Sequence, residues 1–176
     1  SWVAHHPTED ILWYVNNDGT GNEYEFENIP FVGYQWVMKR SFTLSQGYGG
    51  PISSNSDGSM LLMNGYYEMS VYSTSDYSEI FASPYESAEA TFSSEGDSIV
   101  YYYNEEYRIL STSTWQEQTS FDSQDQGCSW GYGPLQIVFS SEDEEIIVAS
   151  ETCYDNFLSS WSPDEDSDGV ADVQDF

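Results

Sequence analysis

A short phrase that recurs along the chain constrains the fold more than any other feature of the sequence. The stretch Phe92–Val100 (FSSEGDSIV) returns as Phe139–Ile147 (FSSEDEEII), and weaker copies begin at Ser54 and at His5. Equivalent positions in the four copies are 49, 38 and 47 residues apart. Each copy has the pattern of a strand, a tight polar turn and a second strand, so the sequence predicts a series of similar antiparallel units.

Short apolar or alternating runs, separated by turn residues, occupy most of the chain, and helical periodicity is nearly absent. The runs are Ile11–Val15, Tyr34–Leu44, Met60–Met63, Glu68–Tyr72, Ile99–Tyr103, Arg108–Leu110, Leu135–Phe139 and Ile146–Ala149. Many short strands with closely spaced turns are typical of a sandwich, a barrel or a propeller. The sequence therefore predicts an all-β fold.

The repeats resemble the β-propeller repeats of the WD-repeat, Tol-B-like and YVTN-like families, whose inner hairpins carry a phrase of the type Phe-Ser-Pro-Asp-Gly-x-x-Leu. The resemblance covers about residues 2–160, although no copy has the closing Trp-Asp pair of true WD repeats. It implies a propeller-like array of about three and a half blades in a domain of residues 1–160, because the fourth copy ends near Trp161. A Greek-key β-sandwich with Ser-rich turns is the alternative fold.

The acidic segment Asp164–Asp175 (DEDSDGVADVQD) carries oxygen ligands in a regular pattern. Aspartates at loop positions 1, 3 and 5, a glycine at 6 and oxygen donors at 7, 9 and 12 match what Ca²⁺ requires. The expected ligands are Asp164, Asp166, Asp168, the Val170 carbonyl, Asp172 and Asp175. A disordered acidic tail without a specific site is the alternative.

This calcium segment is similar to a thrombospondin type-3 repeat, and also to the loops of dockerins and EF-hands. An EF-hand has Glu at loop position 12, where this chain has Asp175, and no helix-forming run precedes the segment. Both points favour the thrombospondin-type interpretation. The resemblance implies a linker and calcium loop over residues 161–176, with further repeats beyond Phe176.

Two cysteines, Cys128 and Cys153, lie 25 residues apart. In an oxidising compartment they would form one disulfide, worth roughly 3 kcal/mol in the loop-entropy model. Two free buried thiols are the alternative. Neither cysteine lies in a CxxC motif or near a cluster of His and Cys, so the spacing does not indicate a zinc site.

Charge excludes several classes of partner. Three cations face 31 carboxylates, which gives a formal net charge of −28 at pH 7. A field of that sign repels nucleic acid and anionic lipid headgroups and attracts divalent cations and basic partners. We therefore expect no nucleic-acid binding. Because no apolar run reaches the length of a membrane span, we also expect no direct membrane insertion.

No catalytic pattern stands out from the sequence. Serines lack a G-x-S-x-G elbow, and no spacing singles out two of the many carboxylates for acid–base chemistry. Adjacent His5 and His6 would point to opposite faces of a strand. The segment Asn16–Glu23 (NNDGTGNE) is a plain hairpin turn or, alternatively, a second calcium site using Asp18, Asn22 and Glu23.

These observations together indicate a secreted or cell-surface structural and interaction protein that has no enzymatic role. An incomplete blade would expose a sheet edge and an apolar face, so we expect assembly with other chains, including self-assembly, through β-edges and aromatic faces. Calcium or high ionic strength should promote this assembly, because the negative charge opposes it. Aromatic residues make up 17% of the chain, and those not used in the core could stack on extracellular polysaccharide. A subunit of an extracellular fibre or surface layer, and a non-catalytic fragment of a secreted carbohydrate-active enzyme, are the alternatives.

Overall fold

Strands form all the regular structure in the described part of the chain. A computed structural model describes residues 1–45, 49–65, 68–83, 89–103, 106–122, 136–139, 146–151, 156–162 and 172–175. Every element within these ranges is a β-strand, and none of the described residues lies in a helix that could cross a membrane. The chain divides into two compact units, Ser1–Pro84 and Tyr85–Phe176.

The first unit contains two four-stranded antiparallel sheets in which each strand pairs with its neighbours in sequence. The first sheet comprises β1 (Trp2–His5), β2 (Ile11–Val15), β3 (Thr20–Ile29) and β4 (Gly33–Thr43). The second sheet comprises β5 (Gly49–Ser54), β6 (Met60–Gly65), β7 (Met69–Ser73) and β8 (Glu79–Ala82).

The second unit repeats this arrangement. The third sheet comprises β9 (Ala90–Phe92), β10 (Ser98–Tyr103), β11 (Glu106–Ser111) and β12 (Glu117–Asp122). The fourth sheet comprises β13 (Gln136–Phe139), β14 (Ile146–Glu151), β15 (Asn156–Ser162) and β16 (Asp172–Asp175). The predicted all-β array of short antiparallel sheets is thus confirmed.

The fourth sheet is more complete than the predicted half blade, because β16 adds a strand. The residues of β16 come from the end of the acidic segment, which has too few apolar residues to show the alternation that predicts a strand. Asp172 pairs with Ser162 and Asp175 with Ser159. Residues on both sides of position 160, the predicted domain boundary, lie in β15.

The repeated phrase forms the hairpin that opens each sheet. In the first three sheets the same backbone hydrogen bond closes the turn. The residue just after the first strand donates its N–H to the carbonyl of the first residue of the second strand. The bonds are His6 N–H to Ile11 O (2.9 Å), Asn55 N–H to Met60 O (3.2 Å) and Ser93 N–H to Ser98 O (2.9 Å). The predicted strand–turn–strand units are therefore present as hairpins.

Each unit has its own apolar core. In the first unit both sheets contribute, with Trp13, Val15, Leu61 and Met63 nearly inaccessible to solvent. In the second unit Val100 and Tyr107 of the third sheet pack with Ile137 and Ile146 of the fourth. Burying a large side chain of this kind contributes about 1.5–3 kcal/mol. Packing of sheet on sheet within a unit thus stabilises the fold.

Candidate protein-interaction surface

The hairpin formed by β3 and β4 extends well beyond the rest of its sheet. These strands have 10 and 11 residues, whereas β1 and β2 have 4 and 5. The strand β2 pairs with β3 only as far as Glu25. From Phe26, opposite Trp36, the two long strands continue as a pair to Ile29 opposite Gly33. We call residues 26–38 the projecting hairpin.

The projecting hairpin carries a group of exposed hydrophobic side chains. Among the residues whose side-chain exposure is described, nine large hydrophobic side chains are exposed, and six of them belong to this hairpin. They are Phe26, Phe31, Val32, Tyr34, Trp36 and Met38. Single exposed hydrophobic residues are ordinary, but a contiguous group on one element normally marks a binding surface.

Four of these side chains share one face of the hairpin. Phe26 pairs directly with Trp36, and Tyr34 and Met38 lie two residues to either side of Trp36 on β4. Because side chains alternate along a strand, these positions point the same way. We call Phe26, Tyr34, Trp36 and Met38 the aromatic face.

The rings of the aromatic face support one another. Phe26 stacks on Tyr34 with centroids 5.7 Å apart and planes at 22°, and it meets Trp36 at 5.2 Å. The imidazole of His5 meets Trp36 edge-on at 6.2 Å. Tyr34 nevertheless remains 71% exposed. The rings are thus held in place before any partner arrives, which reduces the entropy lost on binding.

The tip of the hairpin presents a further aromatic side chain. Phe31 is fully exposed and has a φ of 69°, a conformation that bulky residues rarely adopt. Val32 donates its N–H to the Ile29 carbonyl at 3.0 Å, and Gly33 has a φ of 98°. The turn therefore holds Phe31 outward in water at an energetic cost of about 1–2 kcal/mol. Strain of this kind is common at functional sites.

The opposite face of β3 and β4, where the projecting hairpin joins the sheet, is charged. Lys39 forms an ion pair with Glu27 and another with Glu25, the latter at 3.5 Å. The hydrogen bond with Glu27 raises the pKa of Lys39. The hairpin is thus amphipathic, with a charged face that water solvates readily and an aromatic face that it does not.

A buried polar network anchors the base of the hairpin to the second sheet. Glu23 of β3 receives two hydrogen bonds from Arg40 of β4, at 2.6 Å and 3.0 Å. The same guanidinium donates to the carbonyls of Thr74 (2.9 Å) and Ser75 (2.8 Å), in the turn that follows β7. One arginine therefore bridges the long hairpin and the neighbouring sheet.

Tyr77, from that same turn, completes the network. Its hydroxyl donates to Glu23 at 2.5 Å and accepts from the indole N–H of Trp13 at 3.0 Å. Its ring stacks on Phe42 with centroids 3.8 Å apart, and Arg40 lies over it at 4.8 Å. The network fixes the base of the hairpin, so the aromatic face projects from a rigid support.

The pKa shifts in this network follow from burial and hydrogen bonding. Burial alone would raise the pKa of Glu23, but the hydrogen bonds from Arg40 and Tyr77 outweigh it and lower that pKa. Burial raises the pKa of Tyr77, and its hydrogen bond to the Glu23 carboxylate raises it further. Glu23 is therefore ionised and Tyr77 protonated at neutral pH. Glu23, Arg40 and Tyr77 are engaged with one another, an arrangement that suits anchoring.

The segment Asn16–Glu23 is a hairpin turn followed by the start of β3, and its oxygen donors do not converge. Asp18 accepts hydrogen bonds from the backbone and hydroxyl of Thr20. Asn22 accepts one from Ser41, and Glu23 is committed to Arg40. Among the described residues, no group of three or more His, Cys, Asp or Glu side chains lies close enough to hold a metal ion.

The two adjacent histidines have different surroundings. His6 is buried, lies 5.7 Å from Trp13, and accepts backbone hydrogen bonds from Thr8 (3.3 Å) and Glu9 (3.1 Å). His5 instead touches the aromatic face at Trp36. The two rings thus serve separate contacts, as expected for neighbours on a strand.

Most of the predicted calcium ligands lie outside the described residues. This applies to Asp164, Asp166, Asp168 and Val170, and for Asp172 and Asp175 the structure describes only the backbone pairing within β16. The calcium site therefore stays a prediction.

The predicted disulfide stays a prediction for the same reason. Cys128 and Cys153 both lie outside the described residues.

The strand β3 (Thr20–Ile29) is the main element of the candidate surface that the sequence analysis did not predict. Its residues Glu23–Glu27 (EYEFE) alternate strictly between carboxylates and aromatic rings, which is a strand signal. The sequence also contains a second repeat: Ser73–Tyr77 (STSDY) returns 38 residues later as Ser111–Trp115 (STSTW). The last residue of each has a positive φ, 59° at Tyr77 and 55° at Trp115.

Comparison with known proteins establishes the fold and no more. No protein-family model matches the sequence, and no curated protein matches it. A chain in the crystal structure of the Mitotic Checkpoint Complex has a TM-score of 0.70 at 12% identity, covering 98% of this chain and 51% of that one. A chain of Kuenenia stuttgartiensis hydrazine synthase gives 0.72 at 11% identity, covering 99% and 48%.

Both of these structures are propeller-type folds, so the four small sheets belong to the same class. The chain spans about half the length of each structure it matches, 51% and 48%. At identities of 12% and 11% the likeness concerns the fold alone.

Proposed function

We propose that this protein is a non-catalytic interaction module of the cell surface or extracellular space, which binds a protein partner through the projecting hairpin. One observation carries the proposal: among the residues whose side-chain exposure is described, six of the nine exposed large hydrophobic side chains lie on that one hairpin. Its base is held rigid by the Glu23 network, which favours a fixed contact surface. The high net negative charge keeps the remaining surface soluble.

The comparisons agree with a role in assembly. The Mitotic Checkpoint Complex is, as its name says, a complex, and a propeller-type chain occurs in it. By analogy, other protein chains are the proposed partners here. We also propose that a Ca²⁺ ion stiffens the acidic tail, residues 164–175, and that the chain is exported, since its acidic, Ser- and Tyr-rich composition suits that setting.

The alternatives from the sequence are a subunit of a self-assembled fibre or layer and a non-catalytic part of an enzyme. The name hydrazine synthase bears on the second, because a propeller-type chain there belongs to an enzyme. Against self-assembly, two copies that each carry a formal charge of −28 repel one another unless salt or calcium screens them. A complex with a basic partner needs no such screening.

Site-specific photo-crosslinking tests the proposed surface. A benzophenone amino acid replaces Tyr34 on the aromatic face or, as the matched control, Ile80 on β8, which is also exposed on an outer strand. After illumination with extracellular proteins of the source organism, we expect a discrete adduct from position 34 that unlabelled protein competes away. A Trp36→Ser competitor should fail to do so. Equal adducts from both positions, or none, would contradict the proposed surface.

A further inference from the structure

We propose that the partner segment is a basic, extended strand that pairs with the open edge of β4 and lays alternate side chains on the aromatic face. This inference rests on the proposed function and specifies the chemistry of its partner.

Charge gives the first argument. The chain has three cations, and each is already paired within it. Lys39 binds Glu25 and Glu27, Arg40 binds Glu23, and Arg108 binds Glu106 (2.5 Å) and Glu117 (2.8 Å). An acidic partner would find no unpaired cation, whereas a basic partner meets an excess of 28 negative charges. Electrostatic complementarity of this sign accelerates association and selects against acidic partners.

The edge of the sheet gives the second argument. β4 is the last strand of its sheet, and no described strand pairs with it on the side away from β3. Natural edge strands are usually protected by lysines, prolines or bulges. On β4 such protection is confined to Lys39 and Arg40, beside the register shift that faces Glu23. The stretch Tyr34–Met38 (YQWVM) has none, so its backbone is open to an added strand.

Side-chain alternation gives the third argument and defines the segment. An added strand that covers Tyr34–Met38 would be about 17 Å long, and every second side chain would lie beside Tyr34, Trp36 or Met38. Apolar groups, or the stems and cations of Lys and Arg over the rings, fit that side. The remaining side chains fall beside Gln35 and Val37, on the face that carries Glu25 and Glu27 one strand further in. The long side chain of lysine suits that position because it can extend towards these carboxylates. The complementary sequence therefore alternates basic and apolar residues.

The probe is a dye-labelled peptide of alternating lysine and valine, about ten residues long and capped at both ends. Fluorescence anisotropy with the full chain measures its affinity. We expect saturable binding that weakens at least about tenfold when sodium chloride rises from about 0.05 M to about 0.5 M. A peptide with glutamate in place of lysine should bind at least about tenfold more weakly. N-methylation of alternate backbone nitrogens, made separately in both registers, should abolish binding in one register.

Variants of the protein locate the site. Trp36→Ser and Tyr34→Ser should each weaken binding at least about tenfold, while Ile80→Ser should leave it unchanged. Urea unfolding of each variant shows that the fold persists, and because Tyr34 is 71% exposed its variant retains the core.

Several outcomes would overturn the inference. They are equal binding of the glutamate peptide, indifference to N-methylation in both registers, and unchanged affinity in both serine variants. Competition by a neutral soluble polysaccharide such as laminarin would identify a sugar surface instead, and a concentration-dependent dimer lost in Trp36→Ser would identify a second copy. If no peptide binds while position 34 still gives its photo-adduct, the proposed function stands and the basic-strand inference fails.

Discussion

Removing one buried hydroxyl group tests the network that holds the projecting hairpin. The substitution Tyr77→Phe keeps the ring and its stacking on Phe42 but deletes the donor to Glu23 (2.5 Å) and the acceptor for Trp13 (3.0 Å). A hydrogen bond to a charged group is worth about 1.5–3 kcal/mol, and leaving a buried donor unsatisfied costs about 1–3 kcal/mol more. The two effects overlap, so we expect the free energy of unfolding to fall by about 3 kcal/mol.

Urea unfolding followed by tryptophan fluorescence measures this change. The matched control is Tyr14→Phe, because the Tyr14 hydroxyl also makes a hydrogen bond, to Ser1 at 2.9 Å, but in an exposed setting. We expect the control to change the free energy of unfolding by at most about 0.5 kcal/mol. If Tyr77→Phe is equally mild, the network does not anchor the hairpin and the reasoning fails.

The pH dependence of stability follows from the same network. The pKa of Glu23 is lowered in the folded protein, so its stabilising contribution is present above the ordinary glutamate pKa and is lost as the pH falls through the folded value. The pKa of Tyr77 is raised, so its contribution is present below the ordinary tyrosine pKa and is lost at more alkaline pH. In Glu23→Gln the unfolding free energy should therefore fall less steeply as the pH is lowered. In Tyr77→Phe it should fall less steeply as the pH is raised into the alkaline range.

Three further predictions concern other parts of the chain. Gly58→Ala should destabilise the first unit by about 3 kcal/mol, because φ is +71° and a Cβ would overlap the buried His6 imidazole. The control Gly33→Ala has a φ of +98° and open space around the Cβ, so it should destabilise the unit by only about 1–2 kcal/mol. Calorimetry of the full chain should show Ca²⁺ binding with a dissociation constant of about 10⁻⁴–10⁻³ M, abolished when the aspartates of residues 164–175 become asparagines; no heat at millimolar calcium would exclude the site. Thiol titration of the unfolded, non-reduced protein should find no free thiol at Cys128 or Cys153, and two reactive thiols would exclude the disulfide.

The sequence contains enough local information to predict the sheets. In the first three copies of the repeated phrase the turn residues bond within the turn, as when Asn55 accepts the Met60 N–H at 2.9 Å. Such contacts join residues only a few positions apart, so they leave a visible pattern. The first hairpins of all four sheets could therefore be placed from the sequence alone.

The candidate surface could not be placed in the same way, because it depends on contacts between distant residues. Glu23 reads as a surface carboxylate until Arg40 and Tyr77, 17 and 54 residues away, are seen around it. The projection of the hairpin depends on a difference in length between β1–β2 and β3–β4, which alternation alone does not reveal. The strand β16 could not be predicted from the sequence either, because its acidic residues match the pattern of a calcium loop better than that of a strand.

Hydrogen exchange at individual backbone amides tests most directly whether the projecting hairpin is the binding surface. Exchange in the full chain would be compared with and without a saturating amount of the lysine–valine peptide. New protection should be concentrated at those amides of residues 34–38 whose N–H groups face the open edge of β4, since an added strand would bond only those, while β8 should exchange as before. Protection spread over other sheets, or none on β4 at saturation, would contradict the assignment of this hairpin as the interaction surface.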